Sequence, residues 1–222
     1  FGKLGNVIIA KAHKREGKNS EISLITDNKG LPMDSVKAED KNVVVEKAAQ
    51  LANKMGIDQI QLKTLAESLS IQPPSLYNHI RGLDDLRREL MIYGWKQVEK
   101  RMLEAASGAD GYAAWEAVCR AFYQYATENP GVFSAMLWYN KYQDKETQGV
   151  TEKLFSICFA ITSSMNISEE NCNHLIRTFR AFLEGFCLLV NNNAFGYSLS
   201  VEESFDLSLK VMIGGMKELE GK

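Results

Sequence analysis

From Val43 onward, apolar residues recur at helical spacing almost without interruption. Val44, Ala48, Leu51, Ala52 and Met55 follow the i, i+4, i+7, i+8, i+11 pattern of one buried helix face, and Gly56 closes that helix. Leu62, Leu65, Ala66 and Leu69 mark a second, short helix. Pro73 and Pro74 open a third, because the first helical turn has no use for the N–H that proline lacks. Gly82 ends it. A long helix is predicted from about 83 to 106, stopped by Ser107 and Gly108, and further helices follow near 111–128, 130–138, 147–164, 169–191 and 201–219. Breaks fall at Asn129-Pro130, 140–146, 166–168 and 191–193. No alternating strand pattern persists after residue 40 and no 20–50-residue repeat occurs, so the expected fold class is all-α.

Residues 1–32 read differently. They show no sustained helical period and end in a Gly30-Leu31-Pro32 breaker, after which Met33 resembles a natural start. They are read as a leader or upstream extension and kept out of the fold argument. The remainder is expected to divide into 33–90 and 91–222.

Composition narrows the classes. With 222 residues, 45% hydrophobic and 24% charged, the chain is of ordinary soluble globular type. Its longest apolar run, 182–190, is interrupted by Glu184 and is far short of the ~20 residues of a membrane span. The patch 7–10 is too short for a signal peptide. No membrane partner is expected, and the location is read as cytoplasmic. Residues 41–90 carry a net charge of only +1 and 91–222 carry −4, so charge alone does not announce nucleic acid. Cys119, Cys158, Cys172 and Cys187 include no pair two residues apart and are read as buried thiols. Cys172 with His174 makes at most a fragment of a metal site, and no metal or cofactor is expected. An enzyme is not expected either: after residue 32 only His79 and His174 could serve a nucleophile as base, and no Gly-rich phosphate loop appears.

The informative stretch is 62–80, LKTLAESLSIQPPSLYNHI. Two short helices joined by a three- or four-residue turn are what a helix-turn-helix requires. Leu65, Ala66 and Leu69 supply the inner face of the first, and Ala66 is small enough for the second to cross closely. Ile71 plugs the turn, while Leu76 and Ile80 hold the second helix against Leu51 and Leu65. Gln72, Pro73, Ser75, Asn78 and His79 then point outward. Asn bonds base edges bidentately, Ser bonds base or phosphate, and Tyr and His donate to phosphate. A small packing unit with solvated polar residues is the plainer alternative.

Residues 43–90 resemble the DNA-binding domain of TetR-family transcriptional regulators. The likeness rests on 48–56 (AAQLANKMG) as first helix and stop, Leu65-Ala66, the turn Ser70-Ile71-Gln72, the run Ser75-Leu76-Tyr77-Asn78-His79-Ile80, and Leu86 at the start of the linking helix. Ile80 stands where Phe is usual. Leu83 stands where many members carry Lys; Arg81, or Lys63, Lys41 and Lys37, would supply that charge. The resemblance implies a double-stranded DNA operator as partner, with Tyr77 and His79 on phosphate and Lys63 at the groove edge. It places Gln72, Pro73, Pro74, Ser75 and Asn78 facing base edges.

Two broad apolar stripes end the chain, one on Leu175, Ile176, Phe179, Phe182, Leu183, Phe186, Leu189 and Val190, the other on Val201, Phe205, Leu209, Met212, Met216 and Leu219. Taken alone, each is intramolecular core or subunit interface. The resemblance implies a homodimer paired through these helices, with Phe179, Phe182, Phe186, Phe205, Leu209, Met212 and Met216 at the interface. It also implies a pocket for an unidentified small-molecule effector among the large side chains of the middle helices. The candidates are Trp95, Phe122, Tyr125, Phe133, Trp138, Phe155 and Phe159. The segments 122–133 and 182–186 resemble the subgroup with a Trp-His-Gly-type signature, where Glu184 replaces the frequent His. Glu184 is either paired locally with Arg180 or Arg177, or it orients an effector. The expected function is a sequence-specific repressor released from a palindromic operator when effector binding swings the 83–106 helix. The alternative is a related regulator that activates, or that binds DNA without an effector.

Overall fold

The structure, a computed structural model, describes residues 40–221; the expectations for residues 1–32 and for Lys37 lie outside the described residues. Among these, nine α-helices and no strand are present. The first, α1 (Lys41–Met55), starts where the Asp40 carboxylate accepts the Asn42 N–H at 2.9 Å. It stops at Gly56, whose φ of +86° turns the chain while its N–H donates to the Ala52 carbonyl. A single 3-10 turn, Ile57–Gln59, which the apolar pattern does not announce, leads to α2 (Leu62–Ser68). Ser70 then takes a φ of +56°, and the Ile71 N–H reaches back to the Ala66 carbonyl at 3.0 Å. That closure caps α2 and redirects the chain into α3 (Pro73–Leu76), begun by its two prolines as expected. Val44, Ala48, Leu65, Ala66, Leu76 and Ile80 are fully buried together.

The long helix α4 (Leu83–Ala105) follows six residues after α3. Its first half is buried on nearly every side, at Leu86, Glu89, Leu90, Met91, Ile92, Gly94 and Trp95, because α1 covers one flank and the C-terminal helices the others. The remaining helices are α5 (Gly111–Glu128), α6 (Pro130–Met136), α7 (Lys145–Ser163), α8 (Glu169–Asn191) and α9 (Val201–Lys217), with a 3-10 turn at Tyr139–Lys141. Helices α4 to α8 form a bundle around one apolar core, and α9 packs on α8 and α5.

Helix α6 is the joint between the two ends of the molecule. It packs on both α4 and α1. Asn53 of α1 donates to the Asn129 side chain at 2.8 Å and accepts the Val132 N–H at 3.1 Å. Gly131 lies so close that a Cβ there would sit 2.0 Å from the Ala52 carbonyl oxygen.

The segment between α6 and α7 grips the start of α4. Lys141 and the Tyr142 hydroxyl both bond Asp84. Arg88 grips Asp144 through two bonds of 2.8 and 2.6 Å, and also reaches Glu89 and Glu146. Buried Glu89 is held in turn by Lys41 at 2.6 Å. Asp144 also caps α7, accepting the N–H groups of Glu146 and Thr147. The Arg88 guanidinium, foremost, holds the Asp144 carboxyl well below the usual carboxylate range. A carboxyl depressed in this way contributes stability above its unfolded pKa, near 4, and loses it as pH falls toward the folded value. Asp144→Asn keeps a capping oxygen but removes the charge. Its stability deficit in urea melts is expected to be about 1 kcal/mol at pH 7 and to shrink by pH 3. An equal deficit at both pH values would show that the Arg88 pair is not what Asp144 contributes.

Candidate functional site

The third helix and the turn after it present the residues expected to face DNA, because Leu76 and Ile80, both fully buried, anchor one side of the segment and leave the other to solvent. Gln72, Pro74, Ser75, Tyr77 and Asn78 are exposed, Tyr77 to 56%, while Pro73 and His79 are half-buried. The side chains of Gln72, Ser75, Tyr77, Asn78, His79 and Arg81 make no hydrogen bond or ion pair among the described residues. Lys63 is exposed on α2, with Glu67 3.9 Å away. Tyr77, Asn78, His79 and Arg81 border one polar cleft with Lys41 and the start of α4. Donors therefore line a single surface, where the side chains of Tyr77, Asn78, His79 and Arg81 are not tied up internally, whereas Lys41 is on Glu89 and Arg88 on Asp144, Glu89 and Glu146.

An apolar cavity of about 180 Å³ lies in the bundle between α4, α5, α7 and α8. Trp95, Phe122 and Phe155 of the expected set line it. Tyr125, Phe133, Trp138, Phe159 and Glu184 do not. Tyr125 and Phe133 are buried in the core beside Arg101 and Phe122 respectively. Trp138 is 46% exposed on the loop after α6, under Arg87 and Lys141. Phe159 stacks on Phe155 one turn away. Glu184 takes its local partner, accepting the Arg180 Nε at 2.8 Å. The residues not anticipated are chiefly Trp115, Cys119, Cys158, Phe179, Arg177 and Arg180. Burial pushes the Cys158 thiol up to about 12, so it stays protonated. The indole N–H groups of Trp95 and Trp115 are buried and lack an acceptor among the described residues.

The terminal stripes need correction in their detail. Phe179, Phe186, Phe205, Leu209 and Met216, expected at a subunit interface, are buried inside this one chain. Phe182 and Met212 are partly buried against the same core. The cause is aromatic packing between helices: Phe179 meets Trp115 edge-on at 5.1 Å, and Phe205 stacks on Tyr123 at 4.0 Å. What stays exposed is a different face, with Leu188 and Leu189 on α8 and Leu207 and Val211 on α9. Gly185, Gly214 and Gly215 are also exposed. Among the described residues no helix is long and apolar enough to cross a membrane.

Comparison with known proteins agrees with this geometry. Residues 115–212 match the family described as tetracyclin repressor-like, C-terminal domain. The HTH-type transcriptional regulator YobS of Bacillus subtilis is 30% identical over 179 residues, covering 79% of this chain and 92% of YobS. Among solved structures, a TetR variant from Acinetobacter baumannii in complex with minocycline superposes with a TM-score of 0.64 at 18% identity, over 82% of this chain and 99% of that one. BioQ, solved with its double-stranded DNA operator, gives a TM-score of 0.58 at 16% identity, over 81% and 98%. The chain is a DNA-binding transcriptional regulator, not an enzyme, and it belongs to the TetR family.

Proposed function

We propose that this regulator is a repressor that sits on a palindromic operator as a homodimer and leaves it when a small molecule fills the bundle cavity. The observation that carries the reading is continuity through α4. That helix begins three residues after Ile80, the last anchor of the recognition segment, and its Trp95 and Met102 are walls of the cavity. A ligand that moves α4 therefore moves the recognition segment. The α6 contact with α1 and the Arg88–Asp144 bonds carry the same displacement by two more routes. The homodimer is supported by the exposed apolar face of α8 and α9, and two recognition segments would then enter major grooves about 34–36 Å apart. By linkage, operator binding would weaken effector binding by the factor with which effector weakens operator binding. The minocycline complex and the BioQ operator complex illustrate both ligand types on this fold.

Selection of bound sequences from a random DNA pool tests the operator claim, with an inverted repeat expected; recovery of nothing above background would count against it. Two substitutions sharpen it. Tyr77→Phe removes a phosphate donor and is expected to weaken all sequences alike, by about threefold. Asn78→Ala removes a base-edge contact and is expected to cost about tenfold on the selected site while relaxing one position per half-site. Uniform loss from both variants would mean that Asn78 reads phosphate and not base. Failure of every screened ligand to release the operator would remove the effector from the proposal.

A further inference from the structure

The cavity lining is lopsided in its chemistry. Trp95, Trp115, Phe122, Phe155 and Phe179 supply aromatic walls, and the rest is aliphatic or thiol except for Thr151, Arg177 and Arg180. The Thr151 hydroxyl already donates to the carbonyls of its own helix, to Gln148 at 2.9 Å. Alongside the buried indole N–H groups of Trp95 and Trp115, the two guanidiniums are the charged donors of the lining, which holds no carboxylate. Arg180 is half neutralised, with its Nε on Glu184 at 2.8 Å and its guanidinium over the Tyr139 ring at 4.2 Å. Arg177, one turn earlier on α8, is exposed and has no partner among the described residues.

Resting on the reading of this cavity as the effector site, we infer that the effector is a small amphipathic anion, an apolar body of about one ring carrying a carboxylate that Arg177 and Arg180 hold at the cavity mouth. Size supports the body: an apolar cavity of roughly 150 Å³ holds one benzene, and this one measures about 180 Å³. Orientation follows from exposure. Trp115, Phe179 and Val118 are buried at the floor, whereas Arg177 and Phe155 reach solvent, so the ring goes inward and the charge outward. A cationic ligand would meet two like charges and no carboxylate in the lining. Planar guanidiniums, in contrast, match a carboxylate's two oxygens. The same contact reaches the DNA-binding end. Arg180 stands on Tyr139, the first residue of the turn whose Lys141 bonds Asp84 at the start of α4. A carboxylate competing with Glu184 for Arg180 disturbs that grip directly.

The test is calorimetric titration of the full chain with 4-phenylbutyrate, 4-phenyl-1-butanol and 4-phenylbutylamine. The carboxylate is expected to bind about tenfold tighter than the alcohol, and the amine more weakly than either. Arg177→Gln should cost the carboxylate about tenfold and leave the alcohol unchanged, with Arg177→Lys recovering part of the loss. Arg177 has no internal partner, so these variants do not threaten the fold. Equal binding of carboxylate and alcohol, unmoved by Arg177→Gln, would overturn the anionic class. If Thr151→Phe, which puts a ring into the cavity wall, then abolished that binding, the cavity would still be the effector site. Binding unaffected by Thr151→Phe would overturn both readings together. No heat from any of the three probes would overturn the inference, while operator release by other ligands would still support the cavity.

Discussion

Gly131→Ala is expected to lower the unfolding free energy by at least about 3 kcal/mol, the upper range for overpacked interiors. The new methyl group would lie 2.0 Å from the Ala52 carbonyl oxygen, 2.1 Å from the Ala52 carbonyl carbon and 2.7 Å from the Asn53 nitrogen. All three are backbone atoms of α1, so no rotamer change relieves the clash. Either α6 or the whole of α1 must move, and the Asn53–Asn129 bond and the Val132 N–H bond break with it. Gly94→Ala provides the comparison. Its methyl would meet the Met136 Cγ and Sδ at 2.6 and 2.7 Å and the Val132 Cγ1 at 2.8 Å, which are side-chain atoms. Methionine can re-pack, so about 1 kcal/mol is expected there. Urea unfolding of both variants decides the matter. A Gly131→Ala midpoint matching that of the wild type would mean that α1 and α6 do not meet in this way. Where the variant remains folded, its displaced helix-turn-helix should bind operator poorly with no ligand added.

Nothing local in the sequence marks Gly131. The run Asn129-Pro130-Gly131 reads as a break followed by a helix start, and that is how it folds. What the glycine is for depends on a backbone 79 positions earlier, which periodicity does not see. Helix positions, by contrast, were legible because each helix carries its own apolar stripe and its own stop. The 3-10 turn at Ile57–Gln59 was not, since three residues make no period. The candidate site divides along the same line. Residues 62–80 are a self-contained motif whose buried side is set by Leu65, Leu76 and Ile80, so the outward residues followed by elimination. The cavity is formed by four helices, and a large aromatic side chain fits a core or a cavity wall equally well. Phe122 lines it while Phe133, its edge-on neighbour at 6.2 Å, does not. The same ambiguity applies to the terminal stripes, whose aromatic residues Phe179, Phe186 and Phe205 are buried within the one chain. A stripe tells which side of a helix is apolar, but a helix between two neighbours has two such sides, and the bulkier one here turned inward.

That exposed second side carries the other large expectation. Leu207→Glu with Val211→Glu is expected to convert a dimer into a species of one-chain mass, 24.9 kDa, in sedimentation equilibrium. Leu207 is 64% and Val211 66% exposed in the single chain, so charged replacements cost its fold little. Gly214 and Gly215, with open space where a Cβ would be, continue the same side of α9 and let a second helix approach closely. Leu188 and Leu189 extend the patch onto α8. Burying like charges from two chains against each other would oppose association strongly. Because each half-site then binds alone, operator affinity should fall by about a hundredfold or more, the loss expected when linked binding becomes independent. Phe205→Ala separates this from core damage. Phe205 is buried against Tyr123 and Phe182, so its truncation should cost about 3–5 kcal/mol of stability without first dissociating the dimer. If the double Glu variant sedimented as wild type does, the pairing surface would lie elsewhere. If it became monomeric yet held the operator undiminished, half-site cooperation would play no part in how this protein binds DNA.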